Sequence, residues 1–179
     1  YIVEVLAPPQ GETEEVKQFR KWLHEFCETY FLMPWRSEWN IYYEMPDGRV
    51  MVAGQVDLVL KHVRKEEYWC IDYKRKDPQP KYPGGPENLL GNERPSKFDK
   101  MGTGPFHTIP SSDFAKYAVQ QNIYGYIAAT QYNVDFRNRM YLLQVHPSLK
   151  EPHLAGLERL DAEMFDLFRR ETAAMNEES

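Results

Sequence analysis

The spacing of apolar residues changes character several times along the chain, and each change marks an element. From about Glu12 to Tyr30, the residues Val16, Phe19, Leu23, Phe26 and Tyr30 recur at helical intervals, which predicts an amphipathic helix. The runs EWNIYYE (Glu38 to Glu44) and RVMVAGQVDLVL (Arg49 to Leu60) are rich in β-branched and aromatic residues and are joined through the turn sequence PDG, so they predict two antiparallel strands. After the polar stretch KHVRKEE comes YWCIDYK (Tyr68 to Lys74), a third strand that completes a meander. Residues 77–110 carry PQPKYPGGPEN and MGTGP without periodicity, too long for an ordinary connection, which predicts a functional loop or a disordered one. Ser111 or Ser112 then caps a helix running to about Thr130, and MYLLQVH is a further strand. Leu154 to about Ala174 is a final amphipathic helix with Leu157, Leu160, Met164, Leu167 and Phe168 inward. The order α-β-β-β-α-β-α describes an α/β domain.

Two acids stand inside the apolar runs: Asp57 in AGQVDLVL and Asp72 in WCIDYKRK, with Lys74 two residues beyond. A hairpin turning at Arg64 and Lys65 sets Asp57 opposite Asp72, with side chains roughly 4.5–5.5 Å apart. Strand alternation puts Asp72 and Lys74 on one face and Trp69, Ile71 and Tyr73 on the other. Facing carboxylates repel as a bare pair, yet they make a good oxygen site for Mg²⁺ or Mn²⁺. One such ion, or two about 3.5–4 Å apart, acidifies water and neutralises charge building on a phosphodiester. Lys74 would hold the attacking water or the phosphoryl oxygens. The plainer alternative is a surface hairpin whose acids pair with Lys61, Arg64 or Lys65, and spacing alone leaves both open.

Composition narrows the setting. A chain of 179 residues that is 42% hydrophobic builds one well-buried core, and residues 1–179 read as a single domain. The net charge of −5 opposes phosphate binding in general, but between Lys74 and Lys100 seven basic residues face four acidic ones. That surplus lies beside the paired acids, so an arm that orders on DNA is the expectation for this segment. Cys27 and Cys70 read as buried free thiols in a reducing, intracellular compartment. No apolar run reaches 18 residues and no signal-peptide pattern is present, so nothing argues for a membrane. The start at Tyr1 and the polar NEES tail suit a domain cut from a longer polypeptide.

Asp57 on the second strand and Asp72-x-Lys74 on the third, in this element order, resemble the PD-(D/E)XK nuclease superfamily. In KYAVQQNIYGYIA, the residues Tyr117, Gln120 and Tyr124 look like the Q-x-x-x-Y signature of its RecB-type and phage or large-virus branches. HEFCE (His24 to Glu28) resembles their H-x-x-x-E segment, RSEWNIYYE their R-[ST]-E-W strand with Glu38, and LLQVHP their strand ending in His-Pro. The resemblance covers about residues 20 to 147 and implies a restriction-endonuclease-like core, a mixed central β-sheet flanked by helices. It implies that Asp57 and Asp72 bind metal, that Lys74 is the catalytic lysine, and that His24 and the backbone carbonyl of Tyr73 add ligands. Gln120 and Tyr124 would then reach a DNA phosphate or the metal-bound water, with Arg75 and Lys76 also facing substrate.

The activity implied is a Mg²⁺- or Mn²⁺-dependent deoxyribonuclease, with RNA, and exonuclease or endonuclease action, left open. The resemblance also implies fusion to, or a complex with, helicase or recombination proteins. The alternative is a DNA-binding module that keeps the fold without catalysis. Two departures from the pattern stand out. Gln55-Val56 replaces the superfamily's proline before Asp57, and Gly11 is far upstream for the turn that leads relatives' histidine helix.

Overall fold

A computed structural model describes residues 12–78, 89–91 and 100–177. Helix α1 (Glu14–Tyr30) opens the fold and ends where Phe31 takes a left-handed conformation, φ 55°, with its N–H bonded to the Cys27 carbonyl. Strands β1 (Leu32–Glu44), β2 (Val50–His62) and β3 (Tyr68–Arg75) follow as an antiparallel meander. Gly48, at φ 87°, supplies the left-handed residue of the β1–β2 turn. Helix α2 (Asp113–Tyr132) carries the chain to β4 (Met140–Val145), which pairs parallel with β3. Strand β5 (His153–Gly156) pairs antiparallel with β4, and helix α3 (Asp161–Glu177) ends the described chain.

The sheet therefore runs β1-β2-β3-β4-β5 and is mixed. It has helices on both faces, each covering its own apolar cluster. Leu23, Phe26 and Cys27 of α1 pack on Leu58, Leu60, Trp69 and Ile71. The other face carries Val56, Val59, Cys70 and Leu142 against Ile127 and Ala128 of α2 and Met164 and Phe168 of α3.

Two boundaries differ from the sequence reading. Strand β1 begins at Leu32, six residues before Glu38, and absorbs Pro34 through a register shift between Pro34 and Arg36. The segment from Leu154 is not the start of the last helix. His153–Gly156 is a strand, because β4 offers it a partner at Tyr141 through Gln144, and the helix waits until Asp161. Leu157 is buried in the connection, its N–H bonded to the Met140 carbonyl at 2.9 Å. Asn122 of α2 holds the same connection, donating to the Glu158 carbonyl and accepting from the Leu160 N–H.

Of the expected 77–110 loop, residues 79–88 and 92–99 lie outside the described residues. The described end is a closed turn: Gly102 and Ser111 donate to the Ile109 and Lys100 carbonyls. Ser112 caps α2 by accepting from the Ala115 N–H at 3.1 Å. Leu90 is fully buried, and its N–H donates to Gln144 Oε1, while Gln144 Nε2 donates to the Lys76 carbonyl. One buried side chain on β4 thus ties down two points of the connection.

Strand β2 meets α2 through Gly54, which leaves room for the ring of Tyr124. A Cβ added there would stand 2.8 Å from the ring's Cζ and closer still to its edge. Gly54→Ala is therefore expected to cost about 1–3 kcal/mol by forcing the Tyr124 ring out of its place. Urea denaturation measures this, and an unchanged midpoint would contradict it.

Candidate active site

The β2–β3 hairpin has the register expected from its turn. Lys61 pairs with Tyr68 and Leu58 with Ile71, and one step further brings Asp57 to Asp72, where the ladder ends. The strands separate there, and the Asp57 carboxylate replaces the backbone partner by accepting from the Tyr73 N–H at 3.2 Å. In a strand, a residue's N–H and C=O project toward the same neighbour, so the Tyr73 carbonyl faces β2 beyond the last paired residues.

The ladder is also interrupted on the other side of Asp57. Ser37 pairs with Leu58 and Trp39 with Val56, which leaves Glu38 opposite Asp57 in register, at φ 49°. Leu58 belongs to the α1-side cluster and Val56 to the α2-side cluster, although residues two apart in a regular strand share a face. Both strands thus change face at the Glu38–Asp57 row. Glu38, Asp57 and Asp72 stand in consecutive positions across β1, β2 and β3.

Asp72 and Lys74 share the α2-side face of β3, as alternation predicts. Asp72 is 3% exposed, and Lys74 Nζ lies 2.7 Å from its Oδ2. That ion pair is the contact Oδ2 makes with the protein, and the oxygen is otherwise buried. Burial pushes the Asp72 carboxyl up to about 6; Lys74 opposes the shift and Asp57 adds to it. The cations between the strands are engaged elsewhere, Lys61 with Glu66 and Lys65 with Glu67. Neither of these two lysines pairs with Asp57 or Asp72.

Tyr117 of α2 lies beneath Lys74 and Lys76, its ring centroid 4.9 and 5.9 Å from their ammonium nitrogens. Lys76 also pairs with Asp113 at the start of α2, at 2.8 Å. Arg75 points to the opposite face and binds Glu15 of α1, so β3 divides its basic residues between the two layers.

His24 is not brought to the paired acids. It sits on the outer side of α1, exposed, with Nε2 3.5 Å from Glu28, because Leu23 and Cys27 take the inward positions. Among the described residues no group of three or more His, Cys, Asp or Glu is arranged to hold a metal. Gln120 is exposed and donates to the Tyr124 hydroxyl at 3.1 Å. Its neighbour Gln121, which lies outside the motif, is buried and donates to Asp72 Oδ1 at 2.8 Å. A signal for it exists: Tyr117, Gln121, Tyr124 and Ala128 follow at helical spacing, and that stripe faces the sheet. Cys27 and Cys70 are free and buried, as expected, and burial raises both thiols' pKa.

The donor set fits a hard divalent cation. It offers two carboxylates at one spot, one of them buried with an oxygen that only the Lys74 ammonium faces, and a neighbouring carbonyl edge. Mg²⁺ commonly keeps several waters and needs only one or two carboxylates from the protein. Comparison with protein-family models, curated proteins and solved structures gives no match. No described helix is long and apolar enough to cross a membrane.

Proposed function

We propose that this chain is a metal-dependent deoxyribonuclease with a restriction-endonuclease-like core of the PD-(D/E)XK kind, and that Asp57, Asp72 and Lys74 form its catalytic set. The observation that carries the reading is the Asp72 carboxylate, 3% exposed, beside a second carboxylate and 2.7 Å from an ammonium. Burying charge this way is costly unless something present during function repays it.

Asp57 and Asp72 would hold the cation, Mg²⁺ or Mn²⁺, with the Tyr73 carbonyl as a further ligand. When bound, the cation supplies a water of lowered pKa and neutralises charge on the phosphodiester. Lys74 orients the attacking water or a phosphoryl oxygen with its ammonium, which Asp72 and the Tyr117 ring hold in place. Lys76 lies over the same ring and extends the positive edge along which a nucleic-acid backbone would pass. Gln120 and Tyr124, bonded to each other, are the polar pair on α2 for a phosphate further out. His24 and Glu28 have no part in this version of the site, and Glu38 continues the acidic row at its edge.

The test is incubation of the purified chain with linear and circular DNA in Mn²⁺, Mg²⁺ or EDTA. Cleavage in either metal and none in EDTA is the expected result. DNA retained without cleavage would instead favour a binding module on the same fold, and circular against linear substrate separates endonuclease from exonuclease action. RNA in parallel defines the substrate class. Association with helicase or recombination proteins is part of the same proposal and is tested by co-purification.

A further inference from the structure

Gln121 is 1% exposed, and both ends of its amide are engaged. Nε2 donates to Asp72 Oδ1 at 2.8 Å, and Oε1 stands 3.3 Å from Cys70 Sγ. A carboxylate oxygen only accepts, so the nitrogen must face Asp72; the amide oxygen then faces Cys70, whose thiol donates. Cys70 and Asp72 are two apart on β3 and share a face, so one side chain from α2 spans both. The contacts divide the two oxygens of Asp72. Oδ1 is committed to Gln121, and Oδ2, paired with the Lys74 ammonium at 2.7 Å, is the oxygen that the amide does not hold.

We propose that Gln121 and Cys70 form a buried positioning relay that fixes the rotation of the Asp72 carboxylate and so determines which oxygen is presented to the divalent cation. This rests on the metal-site reading of the preceding section. The terminal torsion of an aspartate is broad and close to two-fold, so an unrestrained carboxylate samples many orientations. An amide fixed at its far end by a thiol removes that freedom. The position itself supports the assignment. Gln121 lies on the stripe of α2 that packs into an apolar cluster with Ile127 and Ala128, where leucine would fill the space without a polar group to satisfy. An amide at such a place is retained only if its hydrogen bonds are used.

The test uses the full chain and measures Mn²⁺ binding by calorimetry together with cleavage as a function of Mn²⁺ concentration. Gln121→Met keeps the length and the apolar stem and removes both contacts. Its half-saturating Mn²⁺ is expected to rise by about 10–100-fold, the usual effect of losing a partner of a metal ligand. Turnover at saturating Mn²⁺ should fall far less, and the KM for DNA should stay in place. Cys70→Ala should raise half-saturation several-fold, and Cys70→Ser, whose hydroxyl donates in the thiol's place, should return it toward wild type. A folded Gln121→Met protein with wild-type Mn²⁺ dependence would overturn the relay, as would Cys70→Ser behaving like Cys70→Ala. If Gln121→Met does not fold, the Cys70 pair decides. A wild-type protein that binds no Mn²⁺ overturns the metal site itself, and that result is read before any variant is made.

Discussion

Asp72→Ala is expected to lose metal-dependent cleavage by roughly 10²–10³-fold or more, the scale on which removing one preorganised electrostatic contact at a reacting centre acts. The carboxylate is the best-defined element of the proposed site, tied by Gln121 on one oxygen and facing Lys74 on the other. Lys74→Ala should fall comparably, because no other ammonium lies within ion-pair distance of Asp72 among the described residues. The two variants differ in one respect. Asp72→Ala should abolish Mn²⁺ binding, whereas Lys74→Ala should retain it, since the lysine contributes no ligand. Single-turnover cleavage assays with calorimetric Mn²⁺ titration separate them. An Asp72→Ala protein that cleaves at the wild-type rate would refute the site.

The second large effect is on stability. Because burial lifts the Asp72 carboxyl from 3.8 to about 6, the folded protein between those values holds a proton that the unfolded chain has released. The contribution of this group is therefore fully present below the unfolded pKa and is lost as pH rises through about 6, a difference of about 3 kcal/mol. Glu66 and Asp113, whose carboxyls are lowered by Lys61 and Lys76, lose stability in the opposite direction as pH falls. The comparison that isolates Asp72 is urea denaturation in EDTA of wild type and Asp72→Asn. Relative to the wild type, the variant should gain about 2 kcal/mol between pH 4 and pH 7.5. Adding Mn²⁺ at pH 7.5 should stabilise the wild type and leave Asp72→Asn unmoved. Parallel pH curves for the two proteins would contradict the account.

Much of this arrangement was legible before any coordinates. The β2–β3 register follows from a short polar turn between two apolar runs, and the shared face of Asp72 and Lys74 follows from a period of two. What stayed hidden has physical reasons. Four residues, His153 to Gly156, carry too little pattern to announce a strand whose partners on β4 lie 9 to 15 positions upstream, from Gln144 opposite His153 to Tyr141 opposite Gly156. Glu38 looks like any strand residue in sequence, since composition does not record a positive φ. Gln120 satisfies the motif's spacing, but burial depends on which stripe of the helix meets the sheet, and that stripe carries Gln121. His24 and Glu28 match a motif yet face outward on α1, with Leu23 and Cys27 between them and the sheet.

The change of face at Glu38 and Asp57 gives the acidic row an uncommon kind of support. Immediately before Asp57 the strand is gripped through Val56 by one apolar cluster, and immediately after it through Leu58 by the other. A carboxylate between two such grips cannot drift with either helical layer alone. The backbone entropy at Asp57 is removed by hydrophobic packing when the chain folds, so that part of the ordering cost is met before a ligand arrives.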